Sequence, residues 1–195
     1  EFLKFISSAE YLCGHNIVSH DFKYLKPFLK KSYKLIDTLY LSPILFPERP
    51  YHNLVKDDKI ISDQLNNPLS DSLKAKQLFE DEFERFKDLP ENIKRSYYDL
   101  LNENDHFKGF FEYAQYSSNR FSYLFNSKAD NISEILKGLV CSKANISRII
   151  ESTPTELAYA LAIIRTGDRY SITPAWVKHQ FPLVDNIIHT LRGIN

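Results

Sequence analysis

The stretch AEYLCGHNIVSHDFKYL, residues 9–25, decides the fold class of this chain. It begins with a short apolar run of strand length, which ends at His15 and Asn16, and continues into an amphipathic segment, HDFKYLKPFLKK. A second strand-like run, YKLIDTLYL, follows and turns at Ser42 and Pro43. Strands that alternate with helical segments predict an α/β layer arrangement with a partly parallel sheet.

The remainder of the chain carries mainly helical patterns. After a proline-containing loop, the hydrophobic periodicity predicts a strong helix from about Pro68 to Phe86, and residues 89–195 are mostly helical in pattern. Thr153 in the stretch STPTEL is expected to be the N-cap of a capping box. Gly193 stands where a helix C-cap is expected.

The composition excludes several classes of protein. The chain has 195 residues, 43% of them hydrophobic and 26% charged, which is typical of a soluble globular protein of one or two domains. No apolar stretch approaches the roughly 18 residues needed to span a bilayer. Because of this, we expect no membrane partner. Cys13 and Cys141 lack metal-binding spacing, so we expect reduced thiols and a cytoplasmic location. Because the formal net charge is zero, any nucleic-acid contact requires a local basic patch or metal ions.

The helix NPLSDSLKAKQLFEDEFERF, residues 67–86, places acidic residues on its apolar face. At about 100° per residue, Asp71 falls within the arc of the apolar side chains, which are Ala75, Leu78, Phe79, Phe83 and Phe86. An inward carboxylate is costly unless it is paired or binds a metal ion. Alternatively, Asp71 lies at the rim of the helix start, where the macrodipole favours an acid. Glu82 shares the arc, and we expect it to reach solvent.

As an ordered set, these segments resemble the DEDD superfamily of 3′→5′ exonucleases, which has the ribonuclease H-like fold. In that family one strand ends in His-Asn with an aspartate on the next helix, the following strand carries Asp-Thr, and an aspartate lies near the start of a long helix. The matching residues are His15, Asn16, Asp21, Asp37, Thr38 and Asp71. The resemblance covers about residues 1–88, and it implies a partial ribonuclease H-like domain there.

The resemblance implies two-metal phosphodiester hydrolysis with Mg²⁺ or Mn²⁺. Asp21 and Asp71 would be catalytic metal ligands, because these hard cations prefer carboxylate oxygens. His15 and Asn16 would shape the strand end beside the nucleic acid. A lysine stripe beside Asp21 is expected to track a phosphate backbone or to be simply a solvated helix face. Its members, if the helix runs unbroken through the proline in it, are Lys23, Lys26, Lys30 and Lys34.

The chain departs from the family pattern in two places. The Asp-x-Glu motif of the opening strand is absent, and the resemblance would place it upstream of Glu1, in a longer polypeptide. The family's general base falls at Asn66 or Asn67, and neither asparagine accepts a proton at neutral pH. His52 is the nearest substitute base, although the stretch YHNL is also consistent with the start of a connecting helix. We therefore expect the chain by itself to be inactive.

The C-terminal half carries a second resemblance. The stretch ELAYALAIIRTGDRYSITPAWVKHQFPLVDNIIHTLRG is similar to the segment that joins an exonuclease domain to the helicase core in bacterial RecQ-family helicases. Residues 89–195 would then be a helical connector towards an ATP-dependent helicase core in the same polypeptide. The aromatic stretch DHFKGFFEYAQYSSNRFSYLF is expected to pack in the core or to stack on bases.

Two functions remain open at this point. The chain is either a metal-dependent 3′→5′ exonuclease domain acting on single-stranded DNA, or a non-catalytic module that positions nucleic acid or braces the helicase. A sheet that lacks its opening strands exposes an edge, so we also expect self-association or completion of the fold by another chain.

Overall fold

The structure is a computed structural model that describes residues 2–54, 68–117, 127–137, 141, 144–167 and 172–193. Within these ranges the strands are β1 (Tyr11–Gly14) and β2 (Lys34–Asp37). The helices are α1 (Phe2–Phe5), α2 (Phe22–Leu25), α3 (Thr38–Leu45), α4 (Pro68–Asp88), α5 (Glu91–Leu101), α6 (Asp105–Tyr113), α7 (Lys128–Ile135), α8 (Ile146–Ser152), α9 (Pro154–Ile164), α10 (Ala175–Gln180) and α11 (Leu183–Arg192). Short 3₁₀-helices span Ile6–Ser8 and Lys26–Phe28, and a π-helix spans Ile17–Asp21.

The two strands form a parallel pair, so the predicted α/β class is confirmed. Their register places Tyr11 opposite Lys34 and Gly14 opposite Asp37. Helix α4 packs against β1, and helix α6 packs against β2. Because both strands run the same way, their carboxyl ends lie at one edge, where His15 and Thr38 continue the chain.

The second strand is shorter than the sequence predicts. The run TLYL was expected to continue the strand, but β2 ends at Asp37 and Thr38 begins helix α3. Every residue of α3 is buried. A helix that is buried on all sides shows a continuous apolar run, which periodicity cannot distinguish from a buried strand.

One hydrophobic core cluster extends along most of the described chain, from Ile36 to Leu191. Helix α9 is central to it, because all residues from Leu157 to Ile164 are buried. The Tyr159 hydroxyl donates to the Tyr40 carbonyl of α3 at 3.0 Å. The division into residues 1–88 and 89–195 stays a prediction, and the two segments share this core.

The aromatic stretch around α6 packs inward. Phe107, Phe110 and Phe111 are each no more than 3% exposed, which confirms core packing for these three residues. Ala114 packs against the same cluster. The last part of the stretch, residues 118–125, lies outside the described residues, so base stacking there stays untested.

The helix ends predicted in the C-terminal half are partly correct. Pro154 begins α9 as predicted, and Gly193 caps α11 with a left-handed φ of +67°. The predicted capping box is wrong, because the Thr153 side chain makes no cap hydrogen bond. Its hydroxyl instead donates to the Ile149 carbonyl, at 3.2 Å, and so satisfies the last turn of α8. No helix of the described ranges is long and apolar enough to cross a membrane.

Helix α6 and strand β2 approach each other closely at Gly109. A Cβ atom at this position would overlap the backbone carbonyl oxygen of Leu35 and would lie 2.8 Å from the carbonyl carbon. Because those atoms belong to the backbone of β2, they cannot turn aside as a flexible side chain would. The packing of α6 on the sheet therefore requires glycine at position 109.

Gly109→Ala should lower the free energy of unfolding by about 2–3 kcal/mol. The cost of overpacking exceeds the gain of about 1 kcal/mol in helix propensity. Urea unfolding followed by circular dichroism measures the change. Gly14→Ala is the control, because the three atoms nearest to a Cβ there all belong to the Ile17 side chain, at 3.1 Å or more. Equal losses in the two variants would contradict this account.

Candidate functional site

The Asp37 carboxylate lies at the centre of the polar residues at the carboxyl edge of the parallel pair. One oxygen accepts hydrogen bonds from the backbone amides of Asn16, at 2.9 Å, and of Leu39, at 3.1 Å. The other accepts from the Val18 amide at 3.1 Å. The residue has no exposed surface. One side chain thus joins the loop after β1 to the first turn of α3.

The loop after β1 has the conformation that these bonds need. Asn16 adopts a left-handed conformation, with φ +64° and ψ +28°, directly before the π-helix. Asparagine is among the few residues that tolerate this conformation. The resulting turn directs the amides of Asn16 and Val18 at Asp37. It also begins the helical segment that ends at Asp21.

His15 joins the same two segments through its side chain. Its Nδ1 atom lies 3.0 Å from the Thr38 hydroxyl oxygen, and Thr38 is the residue that follows β2. Burial lowers the pKa of His15 to about 4, so the imidazole is neutral at pH 7. Its Nε2 atom is buried and has no hydrogen-bond partner among the described residues. His15 therefore acts as a neutral connector of the two strand ends.

Asp37 keeps its charge at neutral pH in spite of its burial. Loss of solvation raises its pKa to about 6, and the backbone amides that it accepts from act in the opposite direction. His106 of α6 lies beside it, with Nδ1 at 4.0 Å from a carboxylate oxygen. The His106 ring stacks on Tyr40, with 3.6 Å between ring centroids. Burial lowers the pKa of His106, so desolvation opposes its protonation beside Asp37.

Glu82 lies in the interior, which corrects the expectation that it reaches solvent. It is on α4, which packs against β1, it acts electrostatically on Cys13 of that strand, and it has no exposed surface. Within the described ranges, neither carboxylate oxygen has a hydrogen-bond partner. Burial raises the pKa of Glu82 well above its usual value, and the charge of Asp37 acts in the same direction. Burial therefore favours the protonated form of Glu82.

The two predicted metal ligands lie in different surroundings. Asp21 ends the π-helix with its side chain 55% exposed, and one oxygen is 3.3 Å from His20 Nδ1. Asp71 is half-buried in the first turn of α4. In the part of the chain that the structure describes, no group of three or more His, Cys, Asp or Glu residues is arranged to hold a metal ion. Carboxylate oxygens are suitable ligands for Mg²⁺ or Mn²⁺. The described residues, however, supply too few of them at one place for a complete metal site.

His52 is buried, with 4% of its surface exposed. Its Nδ1 atom lies 2.9 Å from the Ser42 hydroxyl oxygen. Burial lowers its pKa to about 4, and the positive charge of Arg49 adds to that shift. His52 lines a pocket between its loop and α4, together with Arg49, Tyr51 and Lys74. The alternative base positions, 66 and 67, lie outside the described residues.

The lysine stripe differs from the prediction at its far end. Lys23, Lys26 and Lys30 are exposed as expected. The helical segment ends at Phe28, however, so an unbroken helix through Pro27 to position 34 is wrong. Lys34 is in β2, and its Nζ lies 2.7 Å from Glu10 and 3.0 Å from Glu112.

Sequence reasoning missed the organising role of Asp37 and the burial of Glu82. Asp37 was identified only as part of a motif, although an acid that ends an apolar run and precedes another apolar run is a recognisable signal of a buried carboxylate. Glu82 was visible on the apolar arc of its helix. The stacking of His106 on Tyr40 had no local signal, because the two residues are distant in sequence.

No protein-family model matches this chain, and no curated protein or solved structure shows significant similarity to it.

Asn16→Val should lower the free energy of unfolding by about 1–2 kcal/mol. A β-branched residue is strained at a positive φ, and the amides that bind Asp37 depend on this turn. Asn16→Gly is the matched variant and should cost much less, because glycine adopts this conformation freely. Urea unfolding of both variants measures the difference. A valine variant as stable as the glycine variant would show that the turn is not constrained.

Glu82→Gln should stabilise the protein more at pH 8 than at pH 5. The unfolded chain ionises this residue above about pH 4.5, whereas burial raises its pKa in the folded chain, so the folded chain releases the proton at a higher pH. Stability due to Glu82 is therefore highest at low pH and falls as pH rises towards the folded pKa. Glutamine removes that loss. Calorimetric melting temperatures of the variant and the unchanged protein at pH 5 and pH 8 measure this effect. Each kcal/mol of stability should change the melting temperature by about 2–4 °C.

The control for this measurement is Glu80→Gln on the exposed face of the same helix, where Glu80 pairs with Lys76 at 2.7 Å. A surface pair of this kind contributes little to stability, so its pH dependence should be small. If Glu82→Gln shifted the melting temperature equally at both pH values, Glu82 would not hold a proton in the folded protein.

Proposed function

We propose that this chain is the metal-dependent 3′→5′ exonuclease domain of a cytoplasmic RecQ-family DNA helicase-nuclease, with a ribonuclease H-like fold. The observation that supports the proposal is the direct contact between two of the motifs. The Asn16 amide donates to Asp37, and His15 lies against Thr38, across 21 and 23 residues of sequence. In open α/β sheets, ligands bind outside the carboxyl ends of the strands, where these contacts lie.

Asp21 and Asp71 would hold Mg²⁺ or Mn²⁺ in this proposal. When bound, such a cation pair activates water and stabilises the oxygen that leaves the scissile phosphate. Asp21 is accessible to both cation and substrate, because more than half of its side chain is exposed. The remaining acids would be those of the family's Asp-x-Glu motif, supplied by a longer protein. Self-association through an exposed edge of the sheet is the corresponding proposal for this chain by itself.

A non-catalytic role as a nucleic-acid-positioning or helicase-bracing module is the second candidate. The observation that favours it is the state of His52, the substitute base. Its burial and its contact with Ser42 leave little access for a substrate-bound water. Its pKa of about 4 makes it a weak base at neutral pH. The two candidates make different predictions for a longer protein that includes the upstream strand.

In that longer protein, Asp21→Asn and Asp71→Asn should each reduce exonuclease activity by about 10²-fold or more, equal to about 2.7 kcal/mol. Asparagine preserves shape and removes the charge that a divalent cation requires. The assay follows shortening of 5′-labelled single-stranded DNA with Mg²⁺ or Mn²⁺. Melting temperatures should stay unchanged for Asp21→Asn, because this side chain is exposed.

His52→Ala serves as the comparison variant and should reduce activity less than either aspartate change. An active protein that is indifferent to both aspartate changes would refute the nuclease site proposed here. A folded longer protein that contains Asp-x-Glu and is inert with either cation would favour the non-catalytic module instead.

A further inference from the structure

Two exposed aromatic side chains lie among lysines on the segment that follows the π-helix. Tyr24 is 62% exposed and Phe28 is 68% exposed, both unusually high for large apolar side chains. The lysines between and beside them are also exposed. We call this set the aromatic-lysine surface, and its residues are Lys23, Tyr24, Lys26, Phe28, Lys30 and Lys31.

The charge of this surface contrasts with that of the whole chain. Residues 20–33 contain four lysines and a single acid, Asp21, which gives a local formal charge of +3, since four minus one is three. The complete chain has a formal charge of zero. The segment therefore concentrates positive charge in a neutral protein, and a strongly anionic partner fits it best.

The backbone holds the two aromatic rings in defined positions. The π-helix, α2 and the 3₁₀-helix follow one another without interruption from Ile17 to Phe28. Tyr24 and Phe28 are four residues apart, about one helical turn. Lys23 Nζ lies 4.8 Å from the centre of the Tyr24 ring, so charge and ring face the solvent together.

We propose that the aromatic-lysine surface binds single-stranded nucleic acid, with bases stacked on Tyr24 and Phe28 and phosphates held by the lysines. Single-strand binding surfaces combine a basic track with aromatic stacking platforms. Asp21 lies on the same segment, one turn before Tyr24, so a strand on this surface reaches the proposed catalytic edge. The inference rests on the proposed nuclease function for its choice of nucleic acid as the partner.

The test measures binding rather than cleavage, so that its failure is distinct from failure of the nuclease proposal. Fluorescence anisotropy of a labelled oligothymidine of about 12 nucleotides is followed with EDTA present, at about 50 mM salt. The double variant Tyr24→Ser, Phe28→Ser should bind about tenfold or more weakly, since each lost stack reduces affinity. Replacing the same two residues by tryptophan should retain binding.

Phe5→Ser is the matched control, because Phe5 is 83% exposed and belongs to α1, outside the aromatic-lysine surface. It should leave the affinity unchanged. The charge contribution is measured separately with Lys23→Gln, Lys26→Gln and Lys30→Gln combined. This variant should reduce the slope of log affinity against log salt concentration by about 2, at about 0.7 for each phosphate contact.

Three results would overturn the proposal. The first is absence of oligothymidine binding by the unchanged protein at low salt. The second is equal affinity of the unchanged protein and the serine double variant, which would assign the aromatic rings to a protein partner. The third is a loss of similar size in the Phe5→Ser control, which would show that any exposed aromatic residue serves equally well. Unchanged melting temperatures in all variants verify that folding is unaffected.

Discussion

The hydrogen bonds of the Asp37 carboxylate are the constraint on which the polar edge of this fold depends. They fix the turn after β1, the start of α3 and the direction of the π-helix that leads to Asp21. Hydrogen bonds to an ionised group are the stronger kind, yet the pKa of Asp37 is raised to about 6. Desolvation thus outweighs the hydrogen bonds in its effect on the pKa of Asp37, and the bonds hold the carboxylate in a single defined geometry.

The charged groups of the protein separate into an interior set and a surface set. Inside, His15 and His52 are neutral at pH 7, burial favours the protonated form of Glu82, and the pKa of Asp37 is raised to about 6. Outside, Asp21 and the aromatic-lysine surface lie in solvent, where a nucleic acid or a cation can reach them. The interior set positions the helical segment that carries Asp21, and the surface set is available for binding.

Sequence patterns correctly predicted the elements that have one buried and one exposed face. Helix α4 and strand β1 were correct, since periodicity and length identify a half-buried helix and a short strand. The start of α3 was missed, because a fully buried helix has no polar face.

The surroundings of single side chains were harder to predict. Glu82 was misjudged because the pattern of one helix does not reveal which neighbouring element covers each part of its face. Lys34 does not belong to the lysine stripe, because the helical segment passes through Pro27 but ends at Phe28. The motif residues at the strand ends were recognisable only as an ordered set, and their mutual contacts required the structure.

The hydrogen bond from Tyr159 to Tyr40 joins residues that are 119 positions apart. During synthesis, the buried surface of α3 therefore has no α9 to cover it until more than a hundred further residues have emerged. At the usual elongation rates of about 5–20 residues per second, this interval lasts roughly 6–24 s. An apolar segment that stays uncovered for this time is a natural binding site for ribosome-associated chaperones. The order in which α3 and α9 are synthesised therefore affects how the chain folds.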